Sequence, residues 1–511
     1  MLGCAAAFLL LPAGATDAAG LTAGGKWTQP AILSECPGTG APHVVFPSDS
    51  PNQGTGPGAI VWSASSPCPA GVGVQVAAIS PEDTPGAPIR PRTAAGRTIA
   101  LRGPLDATAG PHGRVVIAGT SAERQTGPAG GLLLTEGRAG GPFAPPLALG
   151  GPAGTFSFAT AYLGDAALAS LADPHGRTDL QLRVQRYYAS AFAPPVRVSA
   201  AGGGEDVGTG SIEALTVALD FRSDRLVVFS LGGSLFAREL PGKGAPHAVQ
   251  RLGPSPPAGA HVAAVLSDDD RAIVAWTVRH DGQTSVYVSH SQPGVRFTAP
   301  QLLEEFPDPP GLPGYVDSPQ LIRLSSESVV LAWTGAVAGH WAIRAAAIDQ
   351  GGVLSPSTIS PAGRDALLAD LAPGPDDEAL ALWSEPRPSA AGLDLGAQAI
   401  FAARGFDGYP EQVKFAAPEL LAPPGPNSDA TVAFDPDSDR AVAAWRTGAG
   451  QLAYAIRAPG APSAASDAGR SPIGRDARRA GRSRTIGSTS ALACVVCWPI
   501  FDRSRTAILN P

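Results

Sequence analysis

Methionine and charged residues are what this sequence has least of. Among 511 residues there is one Met, with 6% aromatic and 16% charged residues. Amphipathic helices, whose solvent faces are built largely from Glu, Lys and Arg, have little to draw on. No stretch approaches the roughly 18 consecutive apolar residues that read as a membrane-spanning helix. The eight His residues stand singly, without an HExxH or paired spacing, so no metal site can be assembled from sequence neighbours. There is no GxSxG elbow, no P-loop and no GxGxxG after a strand, which removes the serine-hydrolase, P-loop and dinucleotide-binding readings. No cofactor is expected.

What is abundant points to strands and turns. Apolar residues make up 44% of the chain, and 62 Gly with 52 Pro amount to about 22%, just under the range that signals low-complexity disorder. A core is available, joined by many tight turns. At this length the chain exceeds an ordinary single core, so either several domains or a repeat that grows without thickening is expected.

The net charge is −7, but residues 467–511 hold eight Arg against three Asp, leaving 29 basic and 41 acidic residues, or −12, on the rest. That body carries no nucleic-acid footprint. The opening "MLGCAAAFLLLPAGATDAAG" has a short apolar run followed by Ala13-Gly14-Ala15, a small-x-small site suited to cleavage after Ala15, so residues 1–15 are expected to be a secretory signal. Of five cysteines, Cys4 would leave with that signal. The remainder pair by position, Cys36 with Cys68 and Cys494 with Cys497, as an exported protein permits. Closing the Cys36–Cys68 loop would remove roughly 3 to 4 kcal/mol of chain entropy from the unfolded state; two buried free thiols are the alternative.

The strongest signal is a recurrent apolar run. "AIVW", "RAIVAW", "SVVLAW", "EALALW" and "RAVAAW" end at Trp62, Trp276, Trp333, Trp383 and Trp445, and weaker copies end at Gly119, Ser170 and Ser230, spaced by 57, 51, 60, 46, 57, 50 and 62 residues. Eight copies make a repeat. Residues 259–303 show its grammar: a short strand "AHVAAVL", a continuous apolar strand "RAIVAWTV", an alternating strand "SVYVSHS" and a proline-bearing strand "VRFTAPQLL", separated by "SDDD" and "RHDGQT" turns. An apolar run covered on both faces, then an alternating one, then an edge that can spare an N–H describe a four-stranded meander graded from buried to exposed.

Such a sheet must stack face to face with its copies, and the expected solution is an all-β, eight-bladed β-propeller, with seven blades as the alternative if two weak early repeats merge. The last repeat, "DATVAFDPDSDRAVAAWRTGAGQLAYAIRAPGAP", stops without a fourth strand, while the orphan phrase "GGKWTQPAILS" stands at residues 24–34. Residues 16–34 are therefore expected to supply a closing strand beside "QLAYAIRA", residues 35–462 the repeats, and residues 463–511 an Arg-rich disordered tail.

Few residues carry a chemical signal. The recurrent Trp residues end the most apolar strands and read as packing between sheets. "DPDSD" (Asp435, Asp437, Asp439) opens like an EF-hand loop but has Arg440 where Gly is needed and Arg446 where a bidentate Glu is needed, so it reads as a solvated turn. "CVVC" at 494–497 lacks a second pair and a strand–helix setting. Neither metal ligands nor catalytic residues are assigned. One distributed pattern is a candidate ligand site: His43, His261, Asp317, Asp365 and Asp429 lie at or just before the first strands of their repeats, where several blades would converge on the mouth of a central channel.

The G-x-F/W-x-x-P closings, of which "SHSQPGVRFTAP" (289–300) is the nearest case, resemble those of sialidase-type propeller repeats, whose Asp-box runs S-x-D-x-G-x-T-W before a similar proline. The Asp is missing here and one extra residue precedes Gly294. The resemblance extends over about residues 25–460 at the level of strand grammar, and none of the sialidase catalytic residues can be matched. The chain is also similar to exported repeat proteins of high-GC bacteria. The expectation is a secreted or cell-surface, monomeric, non-catalytic propeller that binds a glycan, an envelope component or a protein through one face. The alternatives are a glycoside hydrolase or lyase whose carboxylates, such as Asp317 and Asp429, come from different blades, and a structural surface protein.

Overall fold

The computed structural model describes residues 25–458 except 47–56, 69–70, 81–83, 111–113, 122–131, 151–155, 161–164, 172–179, 187–188, 190–191, 199–211, 221, 257–261, 268–270, 292–295, 308–318, 325–327, 350–351, 375–376, 390–391, 408–412, 436–439 and 449. The expected signal, the Arg-rich tail, Cys494 and Cys497 lie outside the described residues.

Each apolar run becomes the second strand of an antiparallel sheet, and there are eight such sheets. The second strands include Gly58–Ala64, Ala166–Leu171 and Ala441–Arg446, in which every residue is buried. The alternating runs become third strands, as in Gln283–His290, where buried and part-exposed positions interleave. No α-helix occurs among the described residues. Gly38–Val45, Leu101–Gly110, Phe156–Thr160, Ile212–Leu219, Ala263–Leu266, Gln320–Arg323, Leu367–Pro373 and Ser428–Phe434 are the first strands of blades one to eight. Each first strand neighbours the next, and the eighth neighbours the first. The ring is closed, and the molecule is an eight-bladed β-propeller.

Closure is made as the orphan phrase demands. Ala31–Ser34 pairs antiparallel with Leu452–Arg457, Ala31 opposite Tyr454 and Ser34 opposite Leu452, so the eighth blade runs from both ends of the ordered chain. Upstream, Trp27 bridges Arg457, Thr28 N–H donates to the Ile456 carbonyl at 2.7 Å, and Ile456 N–H donates to Thr28 Oγ1 at 3.0 Å. The first blade is an exception to the four-strand rule. Among the described residues it has three strands, and its outer edge is met by bridges from Ile89 and Pro85.

The tryptophans pack between sheets. Trp62, Trp276, Trp333, Trp383 and Trp445 are at most 1% exposed. Trp276 stacks on its cross-strand partner Tyr287 at 5.7 Å between ring centroids, and Trp383 on Phe401 at 6.1 Å. Trp333 reaches across a blade boundary, donating from Nε1 to Glu304 Oε2 at 2.7 Å. Burial of these large rings adds to the aliphatic burial that stacks the blades. Cys36 and Cys68 form the expected disulfide, with Cα atoms 4.8 Å apart.

Candidate functional site at the central channel

The eight first strands enclose the ring axis, so their polar side chains are the natural lining of a channel. Four of these side chains sit on consecutive blades. They are Asp370 on Leu367–Pro373, Thr431 on Ser428–Phe434, His43 on Gly38–Val45 and Asp106 on Leu101–Gly110. Each stands where the pairing of its strand with the second strand slips: the register shifts between Leu368 and Asp370, between Ser428 and Thr431, between Thr39 and His43, and between Arg102 and Asp106. A bulge leaves one or more residues unpaired and re-aims the side chain that follows. The four polar residues are thus each placed by the same kind of device.

Asp370 is the most constrained of them. Its Oδ2 accepts from Thr431 Oγ1 and from Val432 N–H, both at 2.8 Å, and its Oδ1 accepts from Leu371 N–H at 2.9 Å. Burial pushes its carboxyl pKa up, while these three donors and the nearby His43 work against that rise. Part of the residue is still accessible to solvent, yet protein surrounds it closely enough for desolvation to dominate. His43 Nε2 lies 3.0 Å from the Leu105 carbonyl, and its Nδ1 lies 3.7 Å from Asp106 Oδ1. One set of polar contacts therefore joins blades seven and eight, another joins blades one and two, and the charge interaction of His43 with Asp370 links the two sets into one line.

The other expected positions scatter. Asp365 accepts the Trp341 N–H at 2.9 Å and faces His340 at 3.4 Å, which fixes it to the hairpin of the sixth blade. Asp429 is exposed at the start of its strand, with φ of +50°, and accepts from Ser428 Oγ at 3.0 Å. His261 and Asp317 lie outside the described residues. Of the three described positions, His43 alone joins the line. Asp370, Thr431 and Asp106 were missed because the sequence argument looked at strand starts. The available signal was an Asp inside the otherwise apolar "ALLADLAP".

Arginines frame the closing seam on both faces. On the face where the first strands begin, Arg446 donates from Nε to the Gly40 carbonyl at 2.7 Å and from Nη2 to the Ser63 carbonyl at 3.1 Å, joining the eighth blade to the first. Its guanidinium lies where a Cβ on Gly38 would be. Burial lowers its pKa, and Asp429 works against that shift. On the opposite face Glu378 accepts from both Arg404 and Arg457, and Arg457 Nε donates to the Gly25 carbonyl at 2.9 Å. The "DPDSD" turn has a structural role at its first residue, where Asp435 Oδ2 accepts from Arg440 Nε at 3.1 Å. No cluster of three or more His, Cys, Asp or Glu able to hold a metal occurs among the described residues.

No family model and no curated protein matches the chain. Among solved structures it is similar to a polysaccharide lyase of family PL25, an ulvan lyase, at 12% identity, covering 90% of this chain and 100% of that one with a TM-score of 0.46. It is also similar to an α-L-arabinofuranosidase from Fusarium graminearum (13% identity, 64% and 99% covered, TM-score 0.35) and to the Aleuria aurantia lectin (10% identity, 60% and 92% covered, TM-score 0.31). These likenesses assign no activity to the chain, whose fold rests on its own strand pairing.

Proposed function

We propose that the chain is an exported, non-catalytic binding propeller that receives a glycan, an envelope component or a protein on the face where the first strands begin, next to Asp429 and the channel line that includes His43. The observation that carries this reading is how two of the described carboxylates, Asp370 on the channel line and Asp365 at the sixth-blade hairpin, are held. Asp370 accepts three hydrogen bonds and Asp365 caps a hairpin N–H. A glycosidase needs one carboxyl free to give a proton and another free to attack or to activate water; these two are fixed in blade contacts instead. Export is supported by the Cys36–Cys68 bond, which belongs to oxidising compartments. The sialidase-type resemblance enters only as a shared way of ending a blade, and a monomer is the expected state.

The test is a screen of the full-length protein against immobilised glycans and envelope extracts, with release of reducing or unsaturated sugar ends followed in the same samples. Saturable binding without product, weakened at least fivefold by Asp429→Ala, is the expected result. Product formation that Asp370→Asn abolishes would establish the enzyme reading in its place.

A further inference from the structure

The face on which the first strands end carries a cavity that the ring does not require. Between the first blade and Leu101–Gly110 the chain makes an extra tight turn. Arg92 bridges Thr98, Thr93 N–H donates to the Arg97 carbonyl at 2.8 Å, and Gly96, at φ of +76°, donates from its N–H to the Thr93 carbonyl at 2.8 Å. Only glycine takes that backbone without cost. The turn docks on the second blade through the Phe143 N–H, which donates to the Arg92 carbonyl at 2.8 Å. Phe143 itself fills the space over Gly137 that any Cβ would need. Between the turn and the near ends of Arg114–Ser121 and Leu132–Gly137 lies a cavity of about 530 Å³, within the roughly 300–1,000 Å³ span of small-ligand sites.

Its lining is chemically uneven. It holds three guanidiniums, Arg97, Arg114 and Arg138, against one carboxylate, Glu136, in a chain whose net charge is −7. Arg114 Nη1 is paired with Glu136 Oε1 at 2.6 Å. The guanidiniums of Arg97 and Arg138 are exposed and have no partner among the described residues. The second oxygen, Glu136 Oε2, is buried and accepts no hydrogen bond, an arrangement that carries a desolvation cost until a donor reaches it. Two unpaired planar cations, an acceptor waiting for a donor and the apolar wall of Phe143 make one composite request. It is met by a molecule with an anionic group, hydroxyl donors and a small carbon skeleton.

We infer that this cavity binds a hydroxylated small-molecule anion, either a polyhydroxy carboxylate or a phosphate ester of a polyol, with Arg97 and Arg138 on the anionic group and Glu136 Oε2 accepting a ligand hydroxyl. The site lies on the face away from Asp429 and shares no residue with the channel line, so it stands or falls independently of the function proposed above.

The experiment is calorimetric titration of the full-length protein with gluconate, glucitol 6-phosphate, neutral glucitol and inorganic phosphate. At least one of the first two is expected to bind tenfold or more tightly than glucitol and than inorganic phosphate, with the advantage over glucitol shrinking as salt rises from about 50 to 500 mM. Whichever of the two binds more tightly identifies the anionic group. Arg97→Gln with Arg138→Gln should abolish the preference over glucitol, and Glu136→Gln should weaken the preference over inorganic phosphate. Both arginines are exposed, so the melting temperature should hold; were the double variant not to fold, the single substitutions make the same comparison. Equal binding of glucitol and the organic anions, binding of inorganic phosphate as tight as that of the esters, no binding of either organic anion, or an unchanged preference in the double variant would overturn the assignment.

Discussion

Glu378→Gln is the sharpest probe of how the ring is held shut. Glu378, on the second strand of the seventh blade, is 4% exposed and holds two arginines at once. Arg404 Nη2 meets Oε2 at 2.5 Å, and Arg457 Nη1, from the eighth blade, meets Oε1 at 3.2 Å. Burial, and then the neighbouring Arg404, push the Arg457 guanidinium below its usual pKa, and Glu378 is the first group acting against that shift. The variant keeps the shape of the side chain and removes the carboxylate that Arg404 and Arg457 share, leaving Glu419 as the remaining charge acting in favour of the Arg457 cation. Removing one partner of a buried ion pair costs about 3–5 kcal/mol. With about 2.1 cal/mol/K of unfolding entropy per residue over the roughly 430 residues of the ring, that corresponds to a fall in melting temperature of roughly 3–6 °C. Because Arg457 also binds the Gly25 carbonyl, hydrogen exchange should quicken first in residues 25–34. The triple replacement Glu378→Leu, Arg404→Met, Arg457→Met should recover much of the loss, since apolar residues of similar volume often substitute for a buried ionic cluster without cost. A Glu378→Gln protein that melts within about 1 °C of the parent, with unchanged exchange at residues 25–34, would refute the argument that this cluster secures the seam.

Two further outcomes follow from the same geometry. The Asp370 carboxyl has a folded-state pKa above its ordinary value, so the folded protein binds this proton more tightly than the unfolded chain does; its contribution to stability rises as pH falls through the raised pKa and is unfavourable at neutral pH. Asp370→Asn leaves one of the three donors without its acceptor at every pH, but relative to the parent it should fare better at pH 7 than in acid; denaturant midpoints at several pH values check this, and an Asn variant that is less stable at pH 7 than at pH 4, each relative to the parent, would contradict it. Replacing Cys36 and Cys68 by Ser should lower stability by about 3–4 kcal/mol through the freed loop of 32 residues' separation, read from the same denaturation curves against a parent kept oxidised, and equal midpoints would show that the bond adds nothing.

The ring was legible because its logic is repetitive. A run apolar at consecutive positions, followed by an alternating one and a proline-bearing edge, can only be a sheet covered on both faces, and the missing last strand named its own replacement at Trp27 to Ser34. The site was less legible because a bulge leaves almost no mark in a sequence. Whether Asp370 or Asp365 meets the axis depends on a slip of pairing between Leu368 and Asp370, and one residue of slip exchanges the faces of a strand. The arginine clamps were equally hidden. "DPDSDR" reads as a turn, yet its last residue, Arg440, reaches the Ser80 carbonyl in the next blade at 2.7 Å, a contact some 360 positions away in the chain.

A seam built from the first and last strands of the ring also imposes a timetable. The ribosome delivers Ala31–Ser34 first, and its partner Leu452–Arg457 more than 400 residues later. For that interval seven blades can form in order, each on the template of the one before, while the first blade keeps a bare flank and the opening segment stays undocked. The disulfide at Cys36 tethers that segment to the first blade, so it waits close to where it will be needed. A nascent chain released early would therefore expose an unmet sheet edge and the apolar faces on either side of the gap, which are the features that quality-control proteases and chaperones engage.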